Sequence, residues 1–215
     1  MKTLFITEVG SRMWGMEEFA SDYDLIEIYQ EDTKDILRGK RLTATLPQCS
    51  YYDEQNRLID KQYMEIGHLI NLLCKGNINA IWAVTSPIVH REDKWQFVLD
   101  SIVRDNLSTA SYNSIYGMAI SQERDSTKRA DVRDARKSRL TALRTLRFGV
   151  ELLQCRNLNF NIMQKYEPKE DVDHNELIYE RLKLSLALKG SSLPDMVNPT
   201  PFRDLLYDIR IEGLL

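Results

Sequence analysis

Two aspartates lie two residues apart in a strand-like segment near the start of the chain. Asp22 and Asp24 are followed by the mainly apolar run from Leu25 to Tyr29. Successive side chains of a β-strand point to opposite faces of a sheet, so this spacing puts both carboxylates on one face. Neighbouring carboxylates on an apolar strand are costly unless a cation compensates them. The segment therefore predicts a strand that carries a site for divalent cations.

The residues before this pair add information that the pair alone does not supply. An acid-x-acid pair is a weak signal, because 32 acidic residues among 215 would produce about five by chance. Here a strand-like run from Leu4 to Val9 leads into Gly10 and Ser11. A helix beginning there would direct free backbone N–H groups at a phosphate. Together, the turn and the carboxylates indicate metal-dependent phosphoryl chemistry; the alternative is a solvated edge strand.

The composition is that of a globular protein. The chain has 215 residues, 43% of them hydrophobic, and a net charge of −3. Cys49, Cys74 and Cys155 are widely spaced, which is typical of reduced thiols and not of a disulfide framework. No apolar run approaches the roughly 20 residues that span a membrane. We therefore expect a cytoplasmic protein without a membrane partner, in which any nucleic acid binds to a local basic surface.

The pattern of apolar residues changes from a β-type to a helical period along the chain. Strands are predicted at Asp22–Tyr29, Arg41–Leu46 and Arg57–Asp60, and a helical period follows, ending near Gly76. Further helices are predicted at Trp95–Asn106, Ala110–Glu123, Ala130–Gln154, Asn175–Lys189 and Pro201–Arg210. This order indicates an α+β fold, a small sheet with flanking helices followed by a helical C-terminal lobe. We expect a catalytic domain at residues 1–90 and a substrate-binding lobe at residues 91–215.

Asp60 is the candidate for a third carboxylate. It ends a short strand-like run just before the helical period begins. Glu65 is the alternative, but it falls inside the helical stretch, where an acid in the first turn complements the helix dipole. Asp60 is favoured, and the choice stays open because the ends of predicted elements shift by a few residues.

The segment from residue 124 to residue 147 is strongly basic, with nine Lys and Arg against three Asp. Lys137 and Arg144 are seven residues apart, so on a helix they share a face and can reach one polyphosphate. The more common explanation of a charge run is an ordinary solvated helix face. Spacing alone does not decide between the two.

A longer set of motifs resembles a known family. The string Gly10-Ser11-Arg12-x-Trp14-Gly15, followed by Ser21-Asp22-Tyr23-Asp24, is similar to the signature of the nucleotidyltransferases of the DNA polymerase β superfamily, in particular their small stand-alone branch in bacteria, archaea and phages. Further matching segments are Lys75–Ala80, Ser86–Val89, Tyr116–Ala119 with Gln122, Lys137 and Arg144 with Glu151–Leu153, and Leu193–Asp195. At one position the chain departs from the pattern: Thr141 stands where the branch often has a histidine.

The resemblance implies a polymerase-β-like sheet and an enzyme that moves a nucleoside monophosphate from a nucleoside triphosphate to an acceptor hydroxyl, using two Mg²⁺ or Mn²⁺ ions. The implied metal ligands and catalytic residues are Asp22, Asp24 and Asp60. The implied nucleotide-binding residues are Gly10, Ser11, Arg12, Lys137 and Arg144.

Two acceptor hypotheses and one without catalysis follow from the resemblance. An RNA 3′ end is favoured, since it suits the basic helix. A protein hydroxyl, as in nucleotidylation of toxin–antitoxin type, suits the small size of the chain. The third hypothesis is a nucleotide- or RNA-binding module without catalysis. The sequence leaves the donor base and the oligomeric state open.

Overall fold

The computed structural model describes residues 1–17, 21–163 and 171–214 of the chain. Within these residues the strands are β1 (Lys2–Val9), β2 (Tyr23–Gln30), β3 (Thr45–Tyr52), β4 (Leu58–Glu65) and β5 (Val89–Arg91). The helices are α1 (Gly10–Met13), α2 (Thr33–Leu37), α3 (Ile66–Leu73), α4 (Ile78–Thr85), α5 (Lys94–Asp105), α6 (Ser111–Lys128), α7 (Val132–Cys155), α8 (His174–Gly190) and α9 (Thr200–Glu212). The predicted α+β fold, with a sheet, flanking helices and a helical C-terminal part, is confirmed.

The sheet brings the end of one strand to the beginnings of two others. Its strand order is β3-β4-β2-β1-β5. β2 and β4 run parallel, whereas the other neighbouring pairs are antiparallel. Asp24 is the register partner of Asp60 on β4 and of Val9 at the end of β1. The turn after β1, Asp24 and Asp60 therefore lie at the same end of the sheet.

The second and third predicted strands had wrong boundaries. β3 begins at Thr45, not Arg41, and continues to Tyr52. The hairpin turn lies after it, where the Asp53 carboxylate accepts hydrogen bonds from the backbone N–H groups of Gln55 and Arg57, both at 2.9 Å. The alternation of side chains did not reveal this start, because pairing with β4 decides where β3 begins.

β4 runs past Asp60 as far as Glu65, because its pairing with β2 continues to Tyr29. Asp60 is therefore the third residue of a strand of eight residues, and not the last residue before a helix. Glu65 ends that strand and caps α3, accepting a hydrogen bond of 2.6 Å from the backbone N–H of Gly67. Its predicted position inside a helix was wrong.

The helices α5 to α9 confirm the long helices predicted from the apolar period, with shifted ends. Two short helices, α2 and α4, were not predicted. In α4 every described residue except Asn79 is buried. A helix that is apolar on all sides lacks the amphipathic pattern from which surface helices are recognised. Among the described helices, none is both long and apolar enough to cross a membrane.

Four aromatic residues join the end of the sheet to the helices. The Trp14 ring is edge-on to Trp82, with centroids 5.2 Å apart, and to Phe148 at 5.5 Å. Phe160 packs on Trp14 at 5.1 Å. Trp14 is 1% exposed and belongs to the core. A single cluster of buried side chains forms this core, with members from Leu4 near the start of the chain to Ile209 near its end. The division into two domains at residue 90 stays a prediction.

The last helix packs back onto the sheet through buried polar contacts. The Arg210 guanidinium contacts the Glu65 carboxylate at 2.5 Å, and Glu65 is fully buried. Beside this pair, the Gln30 amide donates a hydrogen bond of 3.0 Å to the carbonyl oxygen of Ile209. These contacts join residues that are far apart in the sequence.

Removing the Arg210 side chain should strongly destabilise the protein. Breaking a buried ion pair leaves an uncompensated charge and typically costs about 3–5 kcal/mol. We expect Arg210→Ala to lower the free energy of unfolding by such an amount in urea denaturation. Arg203→Ala, at an exposed position of the same helix, should change it by no more than about 0.5 kcal/mol. Equal losses in the two variants would contradict the importance of the Glu65–Arg210 pair.

Candidate active site

A cavity of about 680 Å³ lies where β1 ends and β2 begins, between the sheet and α7. Its charged lining residues are Asp24, Arg129, Asp134, Lys137 and Arg144. Gly10 and Trp14, from the turn after β1, also line it. The cavity thus joins the turn, one carboxylate of the predicted pair and the two cations that were predicted to share a helix face.

The Asp24 carboxylate lies in an unfavourable electrostatic environment. Burial is the largest effect and raises the pKa of Asp24 above its ordinary value. Lys137 and Arg144 oppose this rise, whereas the negative charges of Asp60 and Asp22 add to it. Asp22 and Asp60 are thus each close enough to Asp24 to disfavour its negative charge. A divalent cation bound among them would relieve that repulsion.

The donor chemistry of these aspartates fits a hard cation. Among the described residues, no three His, Cys, Asp or Glu side chains already form a cluster able to hold a metal ion. Mg²⁺ does not need such a cluster, because proteins usually bind it with one or two carboxylates together with substrate phosphates and water. Asp24 with Asp22 or Asp60 could supply these carboxylates.

Arg144 is a partly buried cation that has no hydrogen-bonded anion among the residues that the structure describes. Its guanidinium carbon lies 5.5 Å from the centroid of the Trp14 ring, and its Nε has no hydrogen-bond partner among the described residues. Burial lowers the pKa of Arg144 to about 10, while the charge of Asp24 opposes this change. The side chain is thus still charged at neutral pH, and an anion entering the cavity would compensate its buried charge.

Ser11 is close to the same two cations. Together with Lys137, Thr141 and Arg144 it lines a smaller cavity of about 180 Å³ next to the first. Thr141 donates its hydroxyl hydrogen to the Lys137 carbonyl oxygen at 2.9 Å. This hydroxyl is therefore engaged by the helix itself at the position where the related branch often has a histidine.

Arg12 is placed differently from the other predicted nucleotide-binding residues. Its guanidinium carbon lies 3.8 Å from the centroid of the Tyr23 ring, and its Nε is 3.5 Å from the Glu8 carboxylate. Its Nη2 donates to the carbonyl oxygen of Ser21 at 3.4 Å. Arg12 is not among the described lining residues of either cavity. In this structure it stabilises the segment before β2.

Gly10 allows the turn to approach Asp24. Its φ is +72°, a value that favours glycine. A Cβ atom at this position would lie 1.9 Å from Oδ2 of Asp24. A larger residue could remain here only if the carboxylate moved.

The neutral lining residues of the larger cavity were largely missed by sequence reasoning. They include Gln62 and Met64 from β4, Asn77 and Asn79 near the start of α4, and Met118 and Gln122 from α6. Of these, Asn77, Asn79, Met118 and Gln122 were noticed, and only within motifs of the resemblance. Neutral side chains lack the charge and spacing that signal a site, so the pattern of residues alone could not have assigned them.

The match to a protein-family model agrees with the resemblance. The family model described as the RNA repair pathway DNA polymerase beta family matches residues 1–184. A solved structure, a nucleotidyltransferase-like protein from Exiguobacterium sibiricum 255-15, aligns with 98% of this chain and 74% of its own, at 12% identity and a TM-score of 0.34. No curated protein sequence matches the chain.

Replacing Gly10 should disturb both stability and the carboxylate. We expect Gly10→Ala to cost about 1–2 kcal/mol from the left-handed backbone and a further 1–3 kcal/mol, roughly, from crowding against Asp24. Gly15→Ala is the matched control, because Gly15 has a φ of +62° but an added Cβ would meet nothing within 4 Å. Urea denaturation of both variants measures the difference, and similar losses would contradict the close approach of Gly10 to Asp24.

The raised pKa of Asp24 predicts a pH-dependent gain in stability from removing its charge. A carboxyl group whose pKa is raised by folding stabilises the protein when protonated, and this stabilisation is lost as the pH rises through the raised value. Metal-free Asp24→Asn should therefore melt at a higher temperature than the unchanged protein at pH 7. The gain should shrink as the pH falls towards the ordinary Asp value of 3.8.

The matched control is Asp195→Asn, at an exposed position. It should show little difference from the unchanged protein across the same pH range. A melting temperature of Asp24→Asn below that of the unchanged protein at pH 7 would contradict the electrostatic strain at Asp24.

Proposed function

Because the chain belongs to the RNA repair pathway DNA polymerase beta family, we propose that it transfers a nucleoside monophosphate from a nucleoside triphosphate to the 3′ hydroxyl of an RNA. The family itself is one of nucleotidyltransferases of the polymerase β type. The observation that carries the proposal is the partly buried Arg144, which lines the cavity together with Asp24 and has no hydrogen-bonded anion within the described part of the chain. A triphosphate supplies that anion, and its metal supplies the charge that Asp24 requires.

The phosphates would bind at the end of the cavity that is lined by α7. Lys137 and Arg144 would contact the β and γ phosphates, since charge-assisted hydrogen bonds to phosphate are the strongest that these side chains form. The Ser11 hydroxyl lines the adjoining cavity with both cations and would donate to a terminal phosphate oxygen. Arg12 would contribute only after leaving its contacts with Glu8 and Tyr23.

The aspartates would hold the metal ions, and Asp60 would also act on the acceptor hydroxyl. The acceptor hydroxyl oxygen forms a bond to the α-phosphorus, and the bond from that phosphorus to the pyrophosphate oxygen breaks. The hydroxyl proton passes to a base, for which Asp60, opposite Asp24 in the sheet register, is the candidate. Asp22 and Asp24 would hold the two Mg²⁺ or Mn²⁺ ions, with Asp60 as a further ligand. These ions, when bound, lower the charge on the phosphates and orient the leaving pyrophosphate.

An RNA end is the preferred acceptor for two reasons. The family description refers to RNA repair, and two exposed cations, Arg129 and Arg133, line the larger and the smaller cavity, respectively. Contacts of this kind with phosphates add affinity that falls as salt rises. A protein hydroxyl as acceptor, or binding without transfer, would appear as a distinct outcome in the experiment below.

The direct test follows the label from a triphosphate. The protein is incubated with each α-labelled triphosphate and Mg²⁺, with and without an RNA that ends in a 3′ hydroxyl. We expect label on the RNA, none on an RNA with a blocked 3′ end, and no transfer by Asp24→Asn. Label on the protein itself would favour a protein acceptor, and no transfer under any condition would favour a binding module.

Lys137 and Arg144 should contribute to triphosphate binding more than another cation of the same helix. We expect Lys137→Ala and Arg144→Ala each to raise the dissociation constant of a non-hydrolysable triphosphate about tenfold or more, the effect of losing a charge-assisted contact. Arg139→Ala is the matched control, because Arg139 binds Asp171 through two hydrogen bonds of its Nη2 and lies outside both cavities. Calorimetric titration measures all three, and equal small effects would mean that α7 is only a solvated basic helix.

A further inference from the structure

The turn between α3 and α4 packs closely against the beginning of α6. Gly76 has a φ of +66°, and a Cβ atom there would lie 2.8 Å from the backbone nitrogen of Ser111. The next contact is a hydrogen bond of 2.9 Å from the backbone N–H of Ile78 to the Ser114 hydroxyl oxygen. No larger side chain fits at Gly76, so the first residues of α4 have a fixed position relative to α6.

This packing builds one neutral wall of the larger cavity. Ser114, Met118 and Gln122 recur every four residues and share a face of α6. Met118 and Gln122 line the cavity, as do Asn77, which caps α4, and Asn79 in the first turn of α4. Within the wall, the Asn77 Oδ1 is already engaged, because it accepts a hydrogen bond of 3.1 Å from the backbone N–H of Ala80.

Charge divides the cavity into two parts. The charged lining residues come from β2, from Arg129 after α6 and from α7, whereas every described lining residue from β4, α3, α4 and α6 is neutral. A nucleoside triphosphate is divided in the same way, with its negative charge on the phosphates and an uncharged heterocycle at the other end. The volume of about 680 Å³ is in the range of pockets that hold ligands of this size.

We propose that the neutral wall is the subsite for the nucleoside of the donor and that Gln122 is the residue that selects the base. This inference rests on the proposed function, since it assumes that the phosphates occupy the charged part. An amide offers a hydrogen-bond donor and an acceptor side by side, which matches the edge of a nucleobase. Met64 and Met118 provide adaptable apolar contacts to its faces.

Gln122 is better suited to this role than the two asparagines. Asn79 is exposed, so water competes for its hydrogen bonds. The amide oxygen of Asn77 is not available to a base, because it already caps α4. Gln122 is partly buried on the rigid face of α6. Hydrogen bonds made there to a base exchange less readily with water, and an unmatched base would leave the amide unpaired, which is the usual origin of selectivity.

The test compares binding of bases with binding of phosphates alone. The unchanged protein, Gln122→Met and Gln154→Met are titrated in Mg²⁺ with non-hydrolysable forms of the four ribonucleoside triphosphates and with inorganic tripolyphosphate. Gln122→Met keeps the length of the side chain but removes its hydrogen bonds. Gln154, exposed on α7, is the matched control. We expect Gln122→Met to reduce the ratio between the weakest and tightest dissociation constants about tenfold, a typical value for one base-edge contact, and Gln154→Met to leave it unchanged.

Tripolyphosphate separates this inference from the proposed function. Its dissociation constant should stay within about twofold in Gln122→Met, which also establishes that the variant is folded. Equal affinity of the unchanged protein for all four triphosphates, or full selectivity in Gln122→Met, would overturn the role of Gln122. Equal weakening of triphosphates and tripolyphosphate would overturn it too. Failure of the unchanged protein to bind tripolyphosphate would instead contradict the phosphate end of the proposed function.

Discussion

The packing of Trp14 against Trp82 and Phe148 determines where the charges of the site lie. Trp14 follows α1 directly, and Phe148 is on α7, so this contact joins the turn at the end of the sheet to the basic helix. Arg144 is one helical turn before Phe148 and therefore lies over the same Trp14 ring. Edge-to-face ring pairs contribute about 0.5–1.5 kcal/mol beyond the burial of their area. The cluster therefore places the Arg144 cation close enough to the Asp24 carboxylate for the two charges to interact.

The charges that meet there are only partly balanced. Burial and two neighbouring carboxylates disfavour the ionised form of Asp24, and burial disfavours the charged form of Arg144. Each group favours the charge of the other, but buried opposite charges rarely recover the whole cost of their desolvation. Such a site gains free energy when an anion and a cation enter together. A triphosphate with its metal is a ligand of that kind, which is why we favour nucleotidyl transfer over binding of RNA alone.

The sequence predicted features that depend on local periodicity, and it missed those that depend on distant contacts. The helical period around Lys137 and Arg144 is a property of a single element. Asp22, predicted inside the same strand as Asp24, lies just before β2 begins at Tyr23. The end of β4 is not a property of a single element, because it depends on pairing with β2 and on a buried contact between Glu65 and Arg210, 145 residues apart. The contact of Arg12 with Tyr23 and the neutral wall at Gln122 depend in the same way on tertiary packing. The roles of the site residues stay predictions.

A crystal structure with a non-hydrolysable triphosphate and Mg²⁺ is the most direct test of the proposed active site. We expect the phosphates to contact both Lys137 and Arg144, and a metal ion to be bound between them and Asp24. The base should then lie against the wall formed by Met118 and Gln122. A triphosphate bound elsewhere on the protein, with Arg144 still lacking an anionic partner, would contradict the proposed site and with it the nucleotidyl transfer that we infer.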